Sequence, residues 1–232
     1  MVLIKGLQKT SLIDFSPYTS CVVFLAGCSF RCGFCHNPEL VKNSSNIKTI
    51  PEKDFFDFLD LRKEWLDGVC ITGGEPTIHN DLVDFISKIK EKGYKVKLDT
   101  NGINPKMLKE LVEKKLVDYI AMDIKSSLKN YEKTINKNIE LKKIKESIKI
   151  IKNSKIGYEF RTTVVPEWVT HEDVKEIGKM LKGAKKYYIQ NFRATKHLLN
   201  ESFEKIKPYS KEELEEMRKS VEKCFGFVGI RN

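Results

Sequence analysis

Cys28-Ser29-Phe30-Arg31-Cys32-Gly33-Phe34-Cys35 sets three thiols at C-x3-C-x2-C. That spacing can wrap three corners of an iron-sulfur cube and leave its fourth iron open for a small molecule to complete the coordination. Four thiolates would instead make a closed electron carrier. Structural zinc normally takes four ligands, often as two pairs. Here Cys21, Cys70 and Cys224 are isolated from one another, and His36 is awkwardly placed beside Cys35 to share one tetrahedral ion with it. A disulfide framework is unexpected for 232 residues with six Cys and no signal-peptide pattern, because stapled secreted domains are short and Cys-dense. A reducing, cytoplasmic setting is the expectation.

Outward from this loop, strand and helix patterns alternate, which predicts an α/β fold with a parallel sheet. Apolar, β-branched runs mark strands at 21–26, 68–72, 95–100, 119–124, 157–165 and 187–191. Helical periodicity fills the intervals at 52–66, 81–92, 105–115, 142–151 and 171–181, with a last helix at 211–223. Ser210 with Glu213 three residues on forms a capping box at the start of that helix. Six βα units suit a curved, open partial barrel, and no repeat or Gly/Pro-rich linker divides residues 1–232, so a single domain is expected. The longest apolar run, 21–27, is too short to span a bilayer.

Ligands of parallel α/β folds gather at the carboxyl ends of strands. Four polar clusters fall there: the Cys loop, then Gly73-Gly74-Glu75, Asp99-Thr100-Asn101-Gly102 and Asp123-Ile124-Lys125. Gly73 and Gly74 lack side chains, so backbone can approach a ligand closely, or they are an ordinary βα turn. Asp99 and Thr100 offer oxygen ligands or an Asx-type turn. Asp123 and Lys125, two apart in a buried run, point to one face. Arg161 lies mid-strand, where a guanidinium pairs naturally with a carboxylate. Within the Cys loop, Arg31 can hold negative charge and Phe34 can shield a cluster. Cys21, Cys70 and Cys224 read as small buried hydrophobes.

The net charge is +10, and residues 129–155 alone hold nine Lys against three Glu. Such a run is either a solvated helix face or an electrostatic footprint for an acidic partner or nucleic acid. Ile135, Ile139, Ile144, Ile148 and Ile151 recur among the lysines at roughly helical spacing, which favours the first. Lysine and glutamate enrichment with only two Gln also fits a thermophile.

The Cys motif followed by His36-Asn37-Pro38, together with Gly73-Gly74-Glu75-Pro76, resembles the radical S-adenosylmethionine (SAM) superfamily. More narrowly, 6–15 (GLQKTSLIDF) and the strand 22–27 (VVFLAG) resemble glycyl-radical-enzyme activases, both those of anaerobic ribonucleoside-triphosphate reductase and that of pyruvate formate-lyase. This likeness extends to about Pro166. It implies a 4Fe-4S cluster on Cys28, Cys32 and Cys35, and S-adenosyl-L-methionine as cofactor. Phe34 would face its adenine, Gly73 and Gly74 would bind the methionyl amino group with Glu75 supporting their loop, Asp123 would take amino or ribose groups, and Lys125 would take the carboxylate. Arg161 joins this cofactor-binding set. The formate-lyase branch implies a monovalent cation at Asp99 and Thr100. At Gln190-Asn191 the chain departs from the His often present in that branch.

The implied reaction is reductive cleavage of S-adenosylmethionine to a 5′-deoxyadenosyl radical, which installs a glycyl radical on a partner enzyme, with anaerobic ribonucleotide reductase the expected partner. Electrons would come from a low-potential donor such as ferredoxin or flavodoxin. A radical SAM enzyme acting on RNA or a small molecule would share every residue named, with the basic 129–155 stretch as its main support. A cluster-carrying electron-transfer protein is the non-enzymatic rival, and the polar clusters on separate strands count against it.

Overall fold

A computed structural model describes residues 1–231. One eight-stranded sheet carries the chain in strictly sequential order. Its strands are β1 Ile4–Ser11, β2 Ser20–Leu25, β3 Gly68–Gly73, β4 Lys95–Thr100, β5 Tyr119–Asp123, β6 Gly157–Val164, β7 Ala184–Asn191 and β8 Phe225–Arg231. The helices are α1 Pro38–Lys42, α2 Glu52–Leu61, α3 Leu82–Glu91, α4 Pro105–Glu113, α5 Tyr131–Ile135, α6 Leu141–Asn153, α7 His171–Leu181 and α8 Lys211–Val221. The strands β2 to β8 are all parallel, and β1 runs antiparallel to β2 at one edge.

The six expected strands are therefore present as a mostly parallel α/β sheet, and two more flank them. The N-terminal strand keeps only its ends buried and is half-exposed or exposed between, so it shows no clean alternation. Gly226 and Gly229 interrupt β8, and glycine weakens any strand signal. Helix α2 stops at Leu61, short of the expected 66, where the chain turns toward β3. The capping box expected at Ser210 and Glu213 is formed, and a second closes the start of α7 at Thr170 and Asp173.

The period of two along each strand separates two surfaces. On β4, Val96 and Leu98 are fully buried in the apolar layer, as are Ile120 and Met122 on β5 and Phe160 on β6. Helix α3 brings Leu82, Phe85, Ile86 and Ile89 to that layer, and α4 adds Leu108 and Leu111. Burying a side chain of this size contributes about 1.5–3 kcal/mol. The alternate residues, among them Lys97, Asp99, Tyr119, Glu159 and Arg161, line cavities instead.

In the basic stretch, α5 ends at Asn136, which adopts a left-handed conformation, and α6 begins at Leu141. Ile144, Ile148 and Ile151 are buried while Lys142, Lys145 and Lys149 are exposed, so the lysines of α6 form a solvated face. Among the described residues no helix is long and apolar enough to cross a membrane.

Candidate functional site

Strand register brings the four polar clusters to one rim. Leu25 is level with Gly73, Thr100 with Met122, and Asp123 with Arg161. A cavity of about 270 Å³ opens there, lined by Cys28, Cys32, Cys35, Phe34, Gly73, Gly74, Glu75, Asp99, Thr100, Asp123, Lys125 and Arg161. Every site residue expected from the sequence thus meets on one space. A larger cavity of about 810 Å³ shares His36, Arg161, Thr163 and Gln190 with it and extends past Tyr119, Glu159 and Arg231.

The three thiols of the Cys loop all line this cavity. Among the described residues no three His, Cys, Asp or Glu side chains gather around a single metal ion. Three thiolates give one per iron to a cube with one open corner, and fall one short of the four ligands of structural zinc. Polar hydrogens already point at the sulfurs. The backbone N–H of Phe30 and of Asn37 donate to Cys28 Sγ and Cys35 Sγ, each at 3.4 Å, and Asn101 Nδ2 lies 3.7 Å from Cys28 Sγ. Burial pushes the Cys28 thiol up to about 11, with the Glu75 carboxylate adding to the effect, and burial pushes Cys32 up to about 12. Cluster assembly must therefore expel these thiol protons. This donor set fits a 4Fe-4S cluster.

Arg31 braces the backbone of the loop. Its Nη1 donates to the carbonyls of Cys28 (2.6 Å) and Phe30 (2.8 Å) and so fixes the loop's curvature. Phe34 is buried at 6.2 Å from the Phe203 ring, and a Cβ on Gly33 would sit 2.2 Å from Phe203. The Cys loop is thus packed from behind by the 201–205 turn, which sequence reasoning missed.

Gly73 and Gly74 turn out to serve the backbone of β2 as much as a ligand. A Cβ on Gly74 would fall 1.8 Å from the Gly27 carbonyl, and Gly73, at φ +113°, presses on Leu25. The N–H groups of Gly74 and Glu75 donate to the carbonyls of Leu25 (2.9 Å) and Gly27 (2.7 Å). Asn37 Nδ2 donates to the Gly73 carbonyl at 3.2 Å, tying the Cys loop to the same turn.

Glu75 is 1% exposed and joins the loops. Its carboxylate accepts from Thr77 N and Oγ1, from Thr100 Oγ1 at 2.7 Å and from Asn101 N at 2.6 Å. Burial raises this carboxyl, and the four donors oppose the rise.

Five charges form a chain along the concave wall. Lys97 Nζ lies 2.6 Å from Asp99 Oδ1, Arg161 Nη1 3.2 Å from Asp99 Oδ2, Arg161 Nε 2.8 Å from Asp123 Oδ1, and Lys125 Nζ 3.0 Å from Asp123 Oδ2. Burial alone would raise both carboxyls, but Arg161 with Lys97 and Lys125 holds them below the usual carboxylate range. Lys125 sits just past the end of β5, yet its side chain folds back to Asp123. Asp99 is engaged by two side-chain cations, while Thr100 Oγ1 donates to Glu75 and accepts from Gly102 N. The expectation of a monovalent ion held by Asp99 and Thr100 gains no support from this arrangement. Of the other thiols, Cys21 and Cys70 are buried as expected, but Cys224 is only half-buried. Asn191 does not turn wholly to the cavity, since its Nδ2 donates to the Tyr209 carbonyl.

A parallel α/β sheet with three cluster-spaced thiols and a polar cavity at its strand ends defines a class, and the family comparison agrees. The Radical SAM superfamily model matches residues 22–181, and the chain belongs to that superfamily. Within it the chain is 36% identical over 234 residues to a glycyl-radical enzyme activating enzyme of Methanocaldococcus jannaschii, covering 99% of this chain and 95% of that one. It is 31% identical over 133 residues to the pyruvate formate-lyase-activating enzyme of Streptococcus mutans, covering 53% of this chain and 50% of the other. Streptococcus suis SuiB bound to S-adenosylmethionine superposes with a TM-score of 0.67 at 16% identity, over 89% of this chain. The chain spans about half of SuiB (48%), and the likeness is one of fold.

Proposed function

We propose that this chain is a single-domain cytoplasmic activating enzyme that installs a glycyl radical on a partner enzyme, and that the partner is an anaerobic ribonucleoside-triphosphate reductase. The observation that carries the reading is the adjacency of the two cavities. The cluster thiols and cofactor-facing residues line the smaller one, and it shares His36, Arg161, Thr163 and Gln190 with the larger space of about 810 Å³, on which a polypeptide loop of the partner would dock. The match to an activating enzyme over nearly the whole chain supports the same conclusion.

Cys28, Cys32 and Cys35 would hold the cluster. Held there, the cluster would supply the one-electron reduction of S-adenosylmethionine on which hydrogen abstraction from a glycine Cα depends. The residues of this chain bind, orient and shield. Lys125 and Arg161 offer positive charge to the methionyl carboxylate, and Asp123 accepts hydrogen bonds from the cofactor's amino or ribose groups. The Gly73-Gly74 backbone takes the methionyl ammonium, with Glu75 fixing that turn. Phe34 and Phe30 keep water from the reacting atoms. Electrons arrive from a low-potential carrier such as ferredoxin or flavodoxin.

The test is electron paramagnetic resonance of the reduced, reconstituted protein mixed with S-adenosylmethionine and the reductase subunit. The expected signal is a doublet that collapses when the partner's glycine is deuterated at Cα. Cofactor cleavage with no radical on the partner would retain the superfamily and defeat this choice of substrate.

A further inference from the structure

We propose that Lys97 is a tethered cation of the cofactor site: a positioning residue whose ammonium neutralises Asp99 from within the fold, so that the site needs no dissolved monovalent ion. Lys97 stands two residues before Asp99 on β4, and the period of the strand puts both on the concave face. Its side chain is 7% exposed, and its Nζ lies 2.6 Å from Asp99 Oδ1 and 3.7 Å from Cys70 Sγ. Lysine is almost never buried to this degree without a partner.

Lys97 has a definite place in the charge chain. Beyond Asp99 come Arg161, Asp123 and Lys125, so each carboxylate in the wall lies between two cations. Removing the ammonium would take Lys97 from Asp99 Oδ1 and leave Oδ2 to hold Arg161 alone. The Arg161 guanidinium, which also orients Asp123, would be drawn toward the unneutralised carboxylate. Lys97 lines the larger cavity and Asp99 the smaller, so the pair forms part of the wall between them. Deleting the ammonium therefore opens a carboxylate-walled recess toward the large cavity, where a small cation can enter and a bulky one cannot.

This inference deepens the cofactor-site reading and rests on it only in one arm of its test. The reconstituted holoprotein and its Lys97→Met variant are compared in chlorides of sodium, potassium, ammonium and tetramethylammonium at one ionic strength. Thermal melting and S-adenosylmethionine affinity by calorimetry are the two readouts. The native protein is expected to melt and bind alike in all four salts. Lys97→Met is expected to bind S-adenosylmethionine at least about tenfold more weakly in tetramethylammonium and to recover in potassium or ammonium. Its melting temperature, without S-adenosylmethionine, should rise saturably with potassium by roughly 3 °C or more, as a ligand specific to the folded state requires.

A native protein that itself needs a small cation for binding would overturn the proposal, as would a variant no more cation-sensitive than the native chain. Should Lys97→Met fail to fold, Lys97→Gln takes its place, and the native series still decides against the proposal if it depends on the cation. If the native protein binds no S-adenosylmethionine in any salt, the cofactor reading fails, while the melting series still judges Lys97.

Discussion

Arg161 is the residue on which the site's electrostatics turn, because it lies between two carboxylates on neighbouring strands. With it gone, Asp99 and Asp123 would face each other in a wall that offers little water. Breaking a buried pair by removing one partner costs about 3–5 kcal/mol, and Arg161→Met is expected to lose that much stability at neutral pH. The pH dependence has a definite sign. Both carboxyls are depressed below their ordinary 3.8, so their contribution is fully present above that value and is lost only as pH falls through the lower folded-state values. In the variant only Lys97 and Lys125 still hold them down, less strongly, and acid relieves the repulsion that Arg161 no longer offsets. The stability gap between native and variant chains should therefore shrink as pH falls, as urea titrations at neutral and acidic pH would measure; an equal gap at both would refute this account. Asp99, Asp123 and Lys125 were legible in the sequence as charges near strand ends, and Arg161 as a mid-strand guanidinium suited to a carboxylate. Lys97 was not, although Lys95-Val96-Lys97-Leu98-Asp99 shows that the lysine and aspartate share a face. Alternation alone does not tell whether the polar face meets solvent or a cavity; the lining of the two cavities does.

The turn after β3 shows how one element positions another. Gly74 is glycine because the backbone of the β2 exit passes against it, with Glu75 then tying the turn to Thr100 and Asn101 after β4. Gly74→Ala is expected to lose about 1–3 kcal/mol of stability through overpacking, and to hold less iron after reconstitution because Gly27 immediately precedes Cys28. Gly93 is the control. It has φ +90° but nothing within 4 Å of a Cβ, so Gly93→Ala pays only the conformational cost, about 1–2 kcal/mol, and should retain full iron. Iron and sulfide analysis beside thermal melting separates the two, and full iron in Gly74→Ala would show that the turn does not shape the Cys loop. The sequence pointed to this glycine pair as an approach for a ligand. Its approach to Gly27 depends on two strands lying side by side, which local sequence does not encode. Both flanking strands, β1 and β8, were missed for a related reason: edge strands carry weaker alternation because neighbours cover them less completely.

Over the whole molecule the charge of +10 remains to be explained, and most of it is carried by solvated lysines such as those of α6. A field of this sign steers acidic partners. Reduction of the cluster by an acidic ferredoxin or flavodoxin is therefore expected to slow by roughly 10-fold or more from low to high salt, whereas reduction by a small neutral reductant should change little. Stopped-flow absorbance would register both, and a salt-independent rate with the protein donor would exclude electrostatic docking. From sequence alone came the cluster thiols, the alternation of strand and helix, and the order of polar loops along the chain, because each is written in spacing and periodicity. Only the tertiary structure decided that Glu75 staples two loops and that Arg231 on β8 reaches across β7 to pair with Glu159 on β6, at 2.6 and 3.0 Å. It alone showed Asp99 to be neutralised by Lys97, because a side chain's partner is set by the register and curvature of strands that lie far apart in the chain.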